Sequence, residues 1–261
     1  MDLGLSGRRA LVLGASRGLG AAVARTLAAE GATVIAAARS IETTENWIAA
    51  LADDQRRRLT AAKFDLAAIA SIEALVDRLT AEGGIDILIG NSGGPPPCDA
   101  RDTRRADWLA QFETMAVNLF HVAQLLLTGM VERGFGRILT IVSSGVEQPI
   151  PRLALSNGIR AAVVGWSKTL AAEVAHQGVT VNLVVPGRIH TERVDQLDDA
   201  AAARGGDTRD NVAKASAAAI PIGRYGRPEE FSDAVAFLVS ARASYITGAK
   251  LRVDGGLIRG I

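Results

Sequence analysis

The stretch Leu13-Gly14-Ala15-Ser16-Arg17-Gly18-Leu19-Gly20 follows an apolar run at residues 10–13 and precedes a segment of helical length at residues 21–29. A buried strand, a glycine-rich turn and a helix together form a site for phosphates, because the first N–H groups of a helix are unpaired and its N-terminus carries partial positive charge. The glycines let the backbone approach a pyrophosphate closely. The stretch therefore predicts a dinucleotide-binding turn, although its G-x-x-x-G-x-G spacing differs from the general G-x-G-x-x-G fingerprint.

Apolar runs rich in Val, Ile and Leu alternate with amphipathic stretches along the whole chain. This alternation is typical of βαβ units and of a parallel sheet covered by helices on both faces. The runs predict strands at residues 10–13, 33–37, 59–64, 85–89, 137–142, 179–185 and 250–253. Helices are expected near residues 20–30, 42–52, 69–82, 105–133 (with a break), 155–176 and 228–239. We therefore expect an α/β fold, a single-domain, doubly wound parallel sheet of seven strands (Rossmann-type) over residues 1–261.

The composition excludes several classes of protein. The 29 Lys and Arg residues against 28 Asp and Glu leave a formal net charge of +1, so no nucleic-acid surface is expected. Cys98 is the only cysteine, which rules out an internal disulfide, and the three histidines show no metal-ligand spacing. The first residues show no signal-peptide pattern and no apolar run approaches bilayer length, so we expect a cytoplasmic protein with no membrane partner and no metal.

Polar or glycine-bearing segments follow four of the predicted strands. They lie at residues 14–20, 91–94, 143–145 and 186–188. Because ligands of open α/β sheets bind outside the carboxyl ends of the strands, these segments are expected to meet at one site. The least regular segment, residues 189–227, follows the last of them. A long loop in this place either covers the site or is a mobile surface excursion, and both interpretations stay open.

These segments resemble the short-chain dehydrogenase/reductase family, in particular its 3-oxoacyl-ACP-reductase-like members, over nearly the whole chain. The matching motifs are the turn 14–20, Asp65-Leu66, Asn91-Ser92-Gly93-Gly94 (two changes from N-N-A-G), Asn118, residues 136–144, Pro186-Gly187 with Thr191, Arg227-Pro228-Glu229-Glu230 and Asp254-Gly255-Gly256. The resemblance implies hydride transfer between a nicotinamide and a small-molecule carbonyl or alcohol, in a homo-oligomer (tetramer or dimer). It places these residues at the cofactor: Gly14, Ser16, Arg17, Gly18, Leu19, Gly20, Arg39, Asp65, Leu66, Asn91, Ser92, Gly93, Pro186, Gly187, Ile189 and Thr191.

The sequence departs from the family at the catalytic Y-x-x-x-K pair. Aligning residues 161–168 with the family's A-A-V-x-G-x-x-K places Ser156 at the tyrosine position and Arg160 at the lysine position. Serine is a far poorer acid than a phenol, and arginine stays protonated while keeping five N–H donors. The site residues expected to act on the substrate are Ser143, Asn118, Ser156 and Arg160.

Three interpretations of this altered site remain open. In the first, Ser143, Ser156, Asn118 and a water orient a carbonyl, and His190 or Glu147 supplies the proton. In the second, an acidic or activated substrate needs little acid catalysis, and Arg160 binds its anion together with Arg188 or Arg152. In the third, the protein is catalytically silent and binds the nucleotide as a sensor or partner-binding module. A lyase or isomerase on the same fold is a further alternative.

The end of the second predicted strand favours NADP over NAD. NAD-binding sites usually place an acidic residue there to bind the ribose 2′-OH, whereas an arginine accommodates a 2′-phosphate. Here the strand ends Ala36-Ala37-Ala38-Arg39-Ser40 without a carboxylate, and Arg17 lies within the glycine turn. A guanidinium binds a phosphate through two parallel hydrogen bonds, to which Ser16 or Ser40 would add a third. The expected cofactor is NADP.

Overall fold

The computed structural model describes residues 1–260, and its seven strands form one parallel sheet in the order β3-β2-β1-β4-β5-β6-β7. The strands are β1 (Arg9–Leu13), β2 (Thr33–Ala38), β3 (Leu59–Lys63), β4 (Ile87–Gly90), β5 (Gly136–Ile141), β6 (Val179–Pro186) and β7 (Lys250–Val253). The predicted seven-stranded parallel α/β sheet is confirmed, with strand ends within two residues of those expected. The strand order reverses between β1 and β4, which opens a crevice at their carboxyl ends.

Ten α-helices connect the strands within the described residues 1–260. They are α1 (Gly18–Ala29), α2 (Ile41–Ala49), α3 (Asp53–Arg56), α4 (Ile69–Ala81), α5 (Arg105–Phe112), α6 (Asn118–Glu132), α7 (Ala154–Val174), α8 (Glu192–Gly205), α9 (Arg209–Ala218) and α10 (Pro228–Leu238). The short α3 was not expected from the sequence. It lies on the connection from α2 to β3 and is remote from the carboxyl ends of the strands.

Two apolar cores lie on opposite faces of the sheet. Side chains alternate along β1, so Leu11 and Leu13 join the core under α4, α6 and α7, while Ala10 and Val12 join the core under α1 and α10. The strands β1, β2 and β4 are buried on both faces of the sheet, which is why their sequences are almost entirely apolar. This packing makes the sheet the rigid base on which the loops at its carboxyl edge are held.

The helix expected with a break at residues 105–133 is continuous and contains a π-helical turn. This turn, Glu113–Val117, joins α5 directly to α6. The stretch Arg105–Glu132 is long and apolar enough, by length and composition alone, to cross a membrane, contrary to the expectation that no such run exists. Its apolar residues Leu119, Val122 and Leu126 are buried against the sheet, as in a core helix. The π-helical turn ends at Val117, and α6 begins at the next residue, Asn118.

The segment 189–227, expected to be irregular, contains two helices instead. Alanines at 200–203 favour helix in α8, and Gly206, at φ +64°, ends that helix in the left-handed conformation. Thr208 then caps α9 by accepting a hydrogen bond from the Asn211 N–H. The sequence contained local signals for these helices: the alanines at 200–203, the two glycines at 205 and 206, and the capping residue Thr208.

Candidate active site

The glycine turn between β1 and α1 is an open cradle at the crevice. Gly14 and Gly18 have φ values of +63° and +57°, which glycine adopts without strain. A Cβ at Gly20 would lie 2.3 Å from the Gly14 carbonyl oxygen, so any side chain there would displace the turn. A Cβ at Gly18 would meet only the Thr191 side chain, at 3.8 Å. The turn thus leaves the first N–H groups of α1 accessible to a phosphate, as the fold of a dinucleotide site requires.

Side chains from two other elements hold this cradle in place. Asn91, just after β4, donates from Nδ2 to the Gly14 carbonyl oxygen at 3.3 Å and so ties the two strands that flank the crevice. Trp47 on α2 donates from Nε1 to the Ala15 carbonyl oxygen at 3.1 Å, and the Arg25 guanidinium lies over its ring. The role of Trp47 was missed from the sequence, because no local pattern shows that α2 packs against the turn.

The end of β2 carries no carboxylate, as the sequence predicted. Arg39 and Ser40 are exposed there, and the Ser40 hydroxyl pairs with that of Thr43 at 2.7 Å. Among residues 1–260, Arg39 has no acidic side chain within 4 Å. Arg17, in contrast, forms an ion pair of 2.8 Å with Glu192 at the start of α8. Both arginines stand beside the cradle, and Arg39 is the one whose charge is unneutralised.

Asn118 and Asp65 act on the backbone around the crevice. The buried Asn118 donates from Nδ2 to the Leu66 carbonyl oxygen at 2.8 Å, which fixes the loop after β3 against α6. The Asp65 carboxylate accepts a hydrogen bond from the Ala67 N–H at 3.0 Å. The Asn118 amide, predicted to orient the substrate, is therefore bound to the protein backbone. It acts as a positioning residue for Asp65 and Leu66.

Ser143 follows β5 and caps the short 3₁₀ turn Ser144–Val146. Its hydroxyl oxygen accepts a hydrogen bond from the Gly145 N–H at 3.2 Å. A hydroxyl that accepts in this way keeps its own proton free to donate. Ser143 is half-buried, so this free O–H lies at the carboxyl edge of the sheet where a substrate oxygen can reach it.

Ser156 and Arg160 lie one turn apart on the same face of α7, and both are buried. The Arg160 guanidinium donates from Nη1 to the Ile141 carbonyl oxygen at 2.8 Å and from Nη2 to the Ser92 carbonyl oxygen at 3.2 Å. Burial, together with the nearby charge of Arg193, lowers the pKa of Arg160 to about 10, which leaves it charged at neutral pH. Within residues 1–260 the Ser156 hydroxyl has no hydrogen-bond partner. The Arg160 side chain is thus bound to the last residue of β5, two residues before Ser143.

The two tyrosines of the chain lie away from these serines. Tyr225 donates its hydroxyl to the Asp198 carboxylate at 2.8 Å, and burial raises the pKa of its phenol. Tyr245 is fully exposed near the start of β7. No tyrosine hydroxyl therefore lies near Ser143 or Ser156, and the hydroxyl groups available at the site are those of the two serines.

Neither proposed proton donor occupies a position that favours that role. Glu147 is nearly buried and its carboxylate binds both Lys250, at 3.2 Å, and Arg252 on β7. These ion pairs tie β7 to the turn after β5, and they stabilise the charged carboxylate, which opposes the role of Glu147 as a proton donor. His190 has an exposed side chain, and its backbone N–H donates to the Gly226 carbonyl oxygen at 2.9 Å.

The two arginines proposed to assist Arg160 are both already neutralised. Arg188 pairs with the buried Asp198 and lies over the Tyr225 ring, a cluster that pins α8 to the loop after β6. Arg152 pairs with Asp99 at 3.0 Å. Each of the two arginines thus has a carboxylate partner, distant in sequence, that a substrate anion would have to displace or share.

The loop after β6 contacts the end of β7, the loop before α10 and the glycine cradle. A Cβ at Gly187 would lie 2.6 Å from the Asp254 Cα, so Gly187, after Pro186, is required for close approach to the end of β7. Ile189 is buried and bridges to Gly226. Thr191 covers the glycine cradle and donates to the Ile189 carbonyl oxygen at 3.3 Å. Of these predicted cofactor residues, Thr191 is the one placed directly over the cradle.

The wall of the crevice opposite Thr191 is the loop after β4. Gly93 is exposed, with no atom within 4 Å of where a Cβ would lie, and so leaves open space on its side of the crevice. Arg193 on α8 contacts this loop and was missed from the sequence. No metal-binding cluster of His, Cys, Asp or Glu side chains occurs within residues 1–260.

A glycine cradle at a helix start, at the switch point of an open parallel sheet, defines a dinucleotide-binding α/β protein. The family model described as enoyl-(acyl carrier protein) reductase matches residues 14–258. A solved structure described as a short chain dehydrogenase/reductase family protein is 32% identical and covers 98% of this chain and 99% of its own, with a TM-score of 0.83. The chain belongs to the short-chain dehydrogenase/reductase family.

Similar relatives extend over the full length of the chain. The 3-oxoacyl-(acyl-carrier-protein) reductase of Escherichia coli K12 is 36% identical over 256 residues, which cover 98% of this chain and 99% of the relative. L-sorbose reductase from Gluconobacter frateurii, solved with NADPH and L-sorbose, is 30% identical and covers 100% of both chains, with a TM-score of 0.94. A gluconate 5-dehydrogenase from Burkholderia cenocepacia, solved with NADP and tartrate, is 32% identical, covers 100% of this chain and 98% of its own, and has a TM-score of 0.87.

Proposed function

We propose that this protein is an NADP(H)-dependent oxidoreductase that interconverts a carbonyl and an alcohol through an atypical site. The observation that carries the proposal is that the open glycine cradle lies at the same edge of the sheet as Ser143, Ser156 and the buried Arg160. The solved structures support it, since the similar L-sorbose reductase contains NADPH and the similar gluconate 5-dehydrogenase contains NADP. Arg39, exposed at the end of β2 without a carboxylate, is suited to a ribose 2′-phosphate.

The residues of this chain orient and polarise the substrate. When bound, the nicotinamide supplies or accepts the hydride. Ser143 donates its free O–H to the substrate oxygen, and Ser156, whose hydroxyl has no partner within residues 1–260, adds a second donor. Arg160 places a fixed positive charge beside the oxygen that becomes negative, which is the electrostatic contribution that matters most in such sites. Ser156 and Arg160 stand in for the family's tyrosine and lysine.

The proton on the product oxygen comes from solvent in this proposal. The chain offers no phenol at the site, and Glu147 is occupied by two cations. We therefore predict that His190→Gln lowers kcat by less than about threefold, because His190 points into solvent and a water does the transfer. Steady-state kinetics across pH 6–9 check this. A drop of about a hundredfold, the size usual for loss of a general acid, would instead make His190 the donor.

The test of the proposal is NADPH oxidation with a reactive diketone by the wild-type protein and by the Ser156→Tyr/Arg160→Lys double variant. We expect turnover by the wild type and a kcat at least about tenfold higher in the variant, since a phenol beside a lysine restores an acid of suitable pKa. Absorbance at the NADPH band measures both rates. Circular dichroism and NADPH titration of the variant show whether the larger side chain at position 156 is accommodated.

A second candidate is a catalytically silent NADP(H)-binding protein that acts as a sensor or partner-binding module. The observation that favours it is the position of both tyrosines, Tyr225 on Asp198 and Tyr245 in solvent, away from Ser143. In the same experiment, tight NADPH binding by the wild type with turnover only by the double variant would favour this candidate over the enzyme.

We expect the protein to work in the cytoplasm as a homo-oligomer, a tetramer or dimer. Along α5 and the π-helical turn, the apolar side chains of Leu109, Phe112 and Val117 are exposed and line a groove with Trp108. Exposed apolar side chains grouped on one helix face are typical of protein interfaces. We propose that a second copy of the chain covers these exposed apolar side chains.

A further inference from the structure

Two guanidinium groups meet at the loop after β4. Arg160 donates from Nη2 to the Ser92 carbonyl oxygen at 3.2 Å, and Arg193 donates from Nη2 to the Pro95 carbonyl oxygen at 3.1 Å. The acceptors are three residues apart in one loop, and the Arg193 guanidinium also lies against Gly94. The charge of Arg193 is close enough to lower the pKa of Arg160. The two cations therefore share one part of the crevice.

Neither cation has an acidic partner within residues 1–260, where no carboxylate lies within 4 Å of Arg160 or Arg193. This distinguishes them from Arg17, Arg152 and Arg188, which also border the crevice and which all form ion pairs. Arg160 is buried and Arg193 is half-buried, and burial lowers the pKa of both. Two neighbouring, desolvated and uncompensated positive charges are costly, so an anion bound between them would relieve their repulsion.

We propose that Arg193, together with Arg160, binds a carboxylate group of the substrate. The substrate is then an anionic carbonyl compound or the corresponding hydroxy acid, an assignment that rests on the proposed oxidoreductase function. A guanidinium is the side chain best suited to bind a carboxylate, because it offers parallel N–H donors and keeps its charge. Arg193 uses one Nη group on the Pro95 carbonyl oxygen, and Arg160 uses both, on the Ile141 and Ser92 carbonyl oxygens. Because a guanidinium carries five N–H donors, each arginine keeps further donors for the anion.

The side-chain directions at the start of α8 separate this site from the cofactor phosphates. Thr191 lies over Gly18 in the glycine cradle, and Glu192 turns to Arg17 in the same turn. Arg193 turns the other way, to the loop after β4, where it meets Arg160 of the serine-bearing helix α7. The expected 2′-phosphate site at Arg39 follows β2, on the far side of β1 from β4. The position of Arg193 thus favours the substrate over the cofactor.

Calorimetric titration with two matched ligands tests the proposal without turnover. The probes are 2-oxo-4-phenylbutanoate and 4-phenyl-2-butanone, which differ by a carboxylate in place of a methyl group, added to protein saturated with NADP⁺. We expect the carboxylate to bind at least about tenfold more tightly than the ketone. Arg193→Gln should abolish this preference, Arg193→Lys should restore part of it, and both should leave the NADP⁺ dissociation constant within about twofold of the wild type.

Arg204→Gln is the matched control, because Arg204 is an exposed arginine in the last turn of the same helix. It should keep the full preference for the carboxylate. The proposal is overturned if Arg193→Gln retains the preference, if pyruvate, tartrate and 2-oxo-4-phenylbutanoate all fail to bind, or if Arg193→Gln weakens NADP⁺ instead, which would assign the anion to a cofactor phosphate. Carboxylate binding that depends on Arg193 without hydride transfer in either direction would refute the proposed function and leave this site standing.

Discussion

Replacing Gly20 by alanine is expected to weaken NADPH binding by about a hundredfold. A Cβ at this position would lie 2.3 Å from the Gly14 carbonyl oxygen and 2.9 Å from Asn91 Nδ2. Because the first of these atoms belongs to the backbone, the clash is relieved only when the glycine turn or the start of α1 moves. Movement of either displaces the N–H groups that should bind the pyrophosphate. A hundredfold change corresponds to about 2.8 kcal/mol of binding free energy.

Gly165→Ala is the control for this experiment. Gly165 lies in α7, exposed, with no neighbouring atom within 4 Å of its would-be Cβ, and α7 is helical there. Alanine in a helix interior is favoured over glycine by up to about 1 kcal/mol, so this variant should be slightly more stable and bind NADPH normally. Fluorescence titration measures both affinities, and urea unfolding reports stability. Wild-type affinity in Gly20→Ala would show that the cofactor does not use this turn.

The fold was predictable because its signals are local. Each strand has four to eight residues, and burial on both faces of the sheet explains why β1, β2 and β4 are almost entirely apolar. The helices of residues 189–227 were missed for the opposite reason, since α8 is largely polar and its apolar periodicity is weak. Its Ala-rich centre and the left-handed Gly206 were nevertheless visible signals of a helix and its end.

The candidate site could be predicted only for residues whose position follows from neighbouring residues in the sequence. The glycine cradle and the grouping of Ser156 with Arg160 on one helix face follow from spacing. The ion pairs of Arg188, Arg152 and Glu147 could not be predicted, because their partners Asp198, Asp99 and Arg252 lie elsewhere in the chain. Arg193 was missed because no pattern in the sequence marks which arginine stays without a carboxylate after folding.

In the proposed site, the arginine expected at the family's lysine position links α7 to the choice of substrate. An arginine in place of a lysine cannot give up a proton at working pH, but it retains a fixed charge and donors in fixed directions. In this structure that charge lies next to Arg193 rather than next to a phenol. The site is thereby better suited to hold a negative group than to activate an acid, which is consistent with a substrate that carries its own carboxylate.

Ser143→Ala is expected to lower kcat by about a hundredfold with a substrate that the wild type turns over. Loss of one donor to a developing oxyanion typically costs about 3 kcal/mol of transition-state stabilisation. The NADPH dissociation constant should stay within about twofold, because Ser143 follows β5 and takes no part in the glycine cradle. The variant also loses the acceptor for the Gly145 N–H, so a stability cost of about 1 kcal/mol is expected.

Ser167→Ala separates the chemical effect of Ser143 from the general effect of deleting a hydroxyl. The Ser167 hydroxyl is buried in α7 without a hydrogen-bond partner within residues 1–260, so its removal should be neutral or stabilising and leave kcat unchanged. Ser143→Thr, which keeps a hydroxyl, should recover part of the lost rate. If Ser143→Ala turns over as fast as Ser167→Ala, the substrate oxygen is held by Ser156 and Arg160 alone, and the predicted role of Ser143 is wrong.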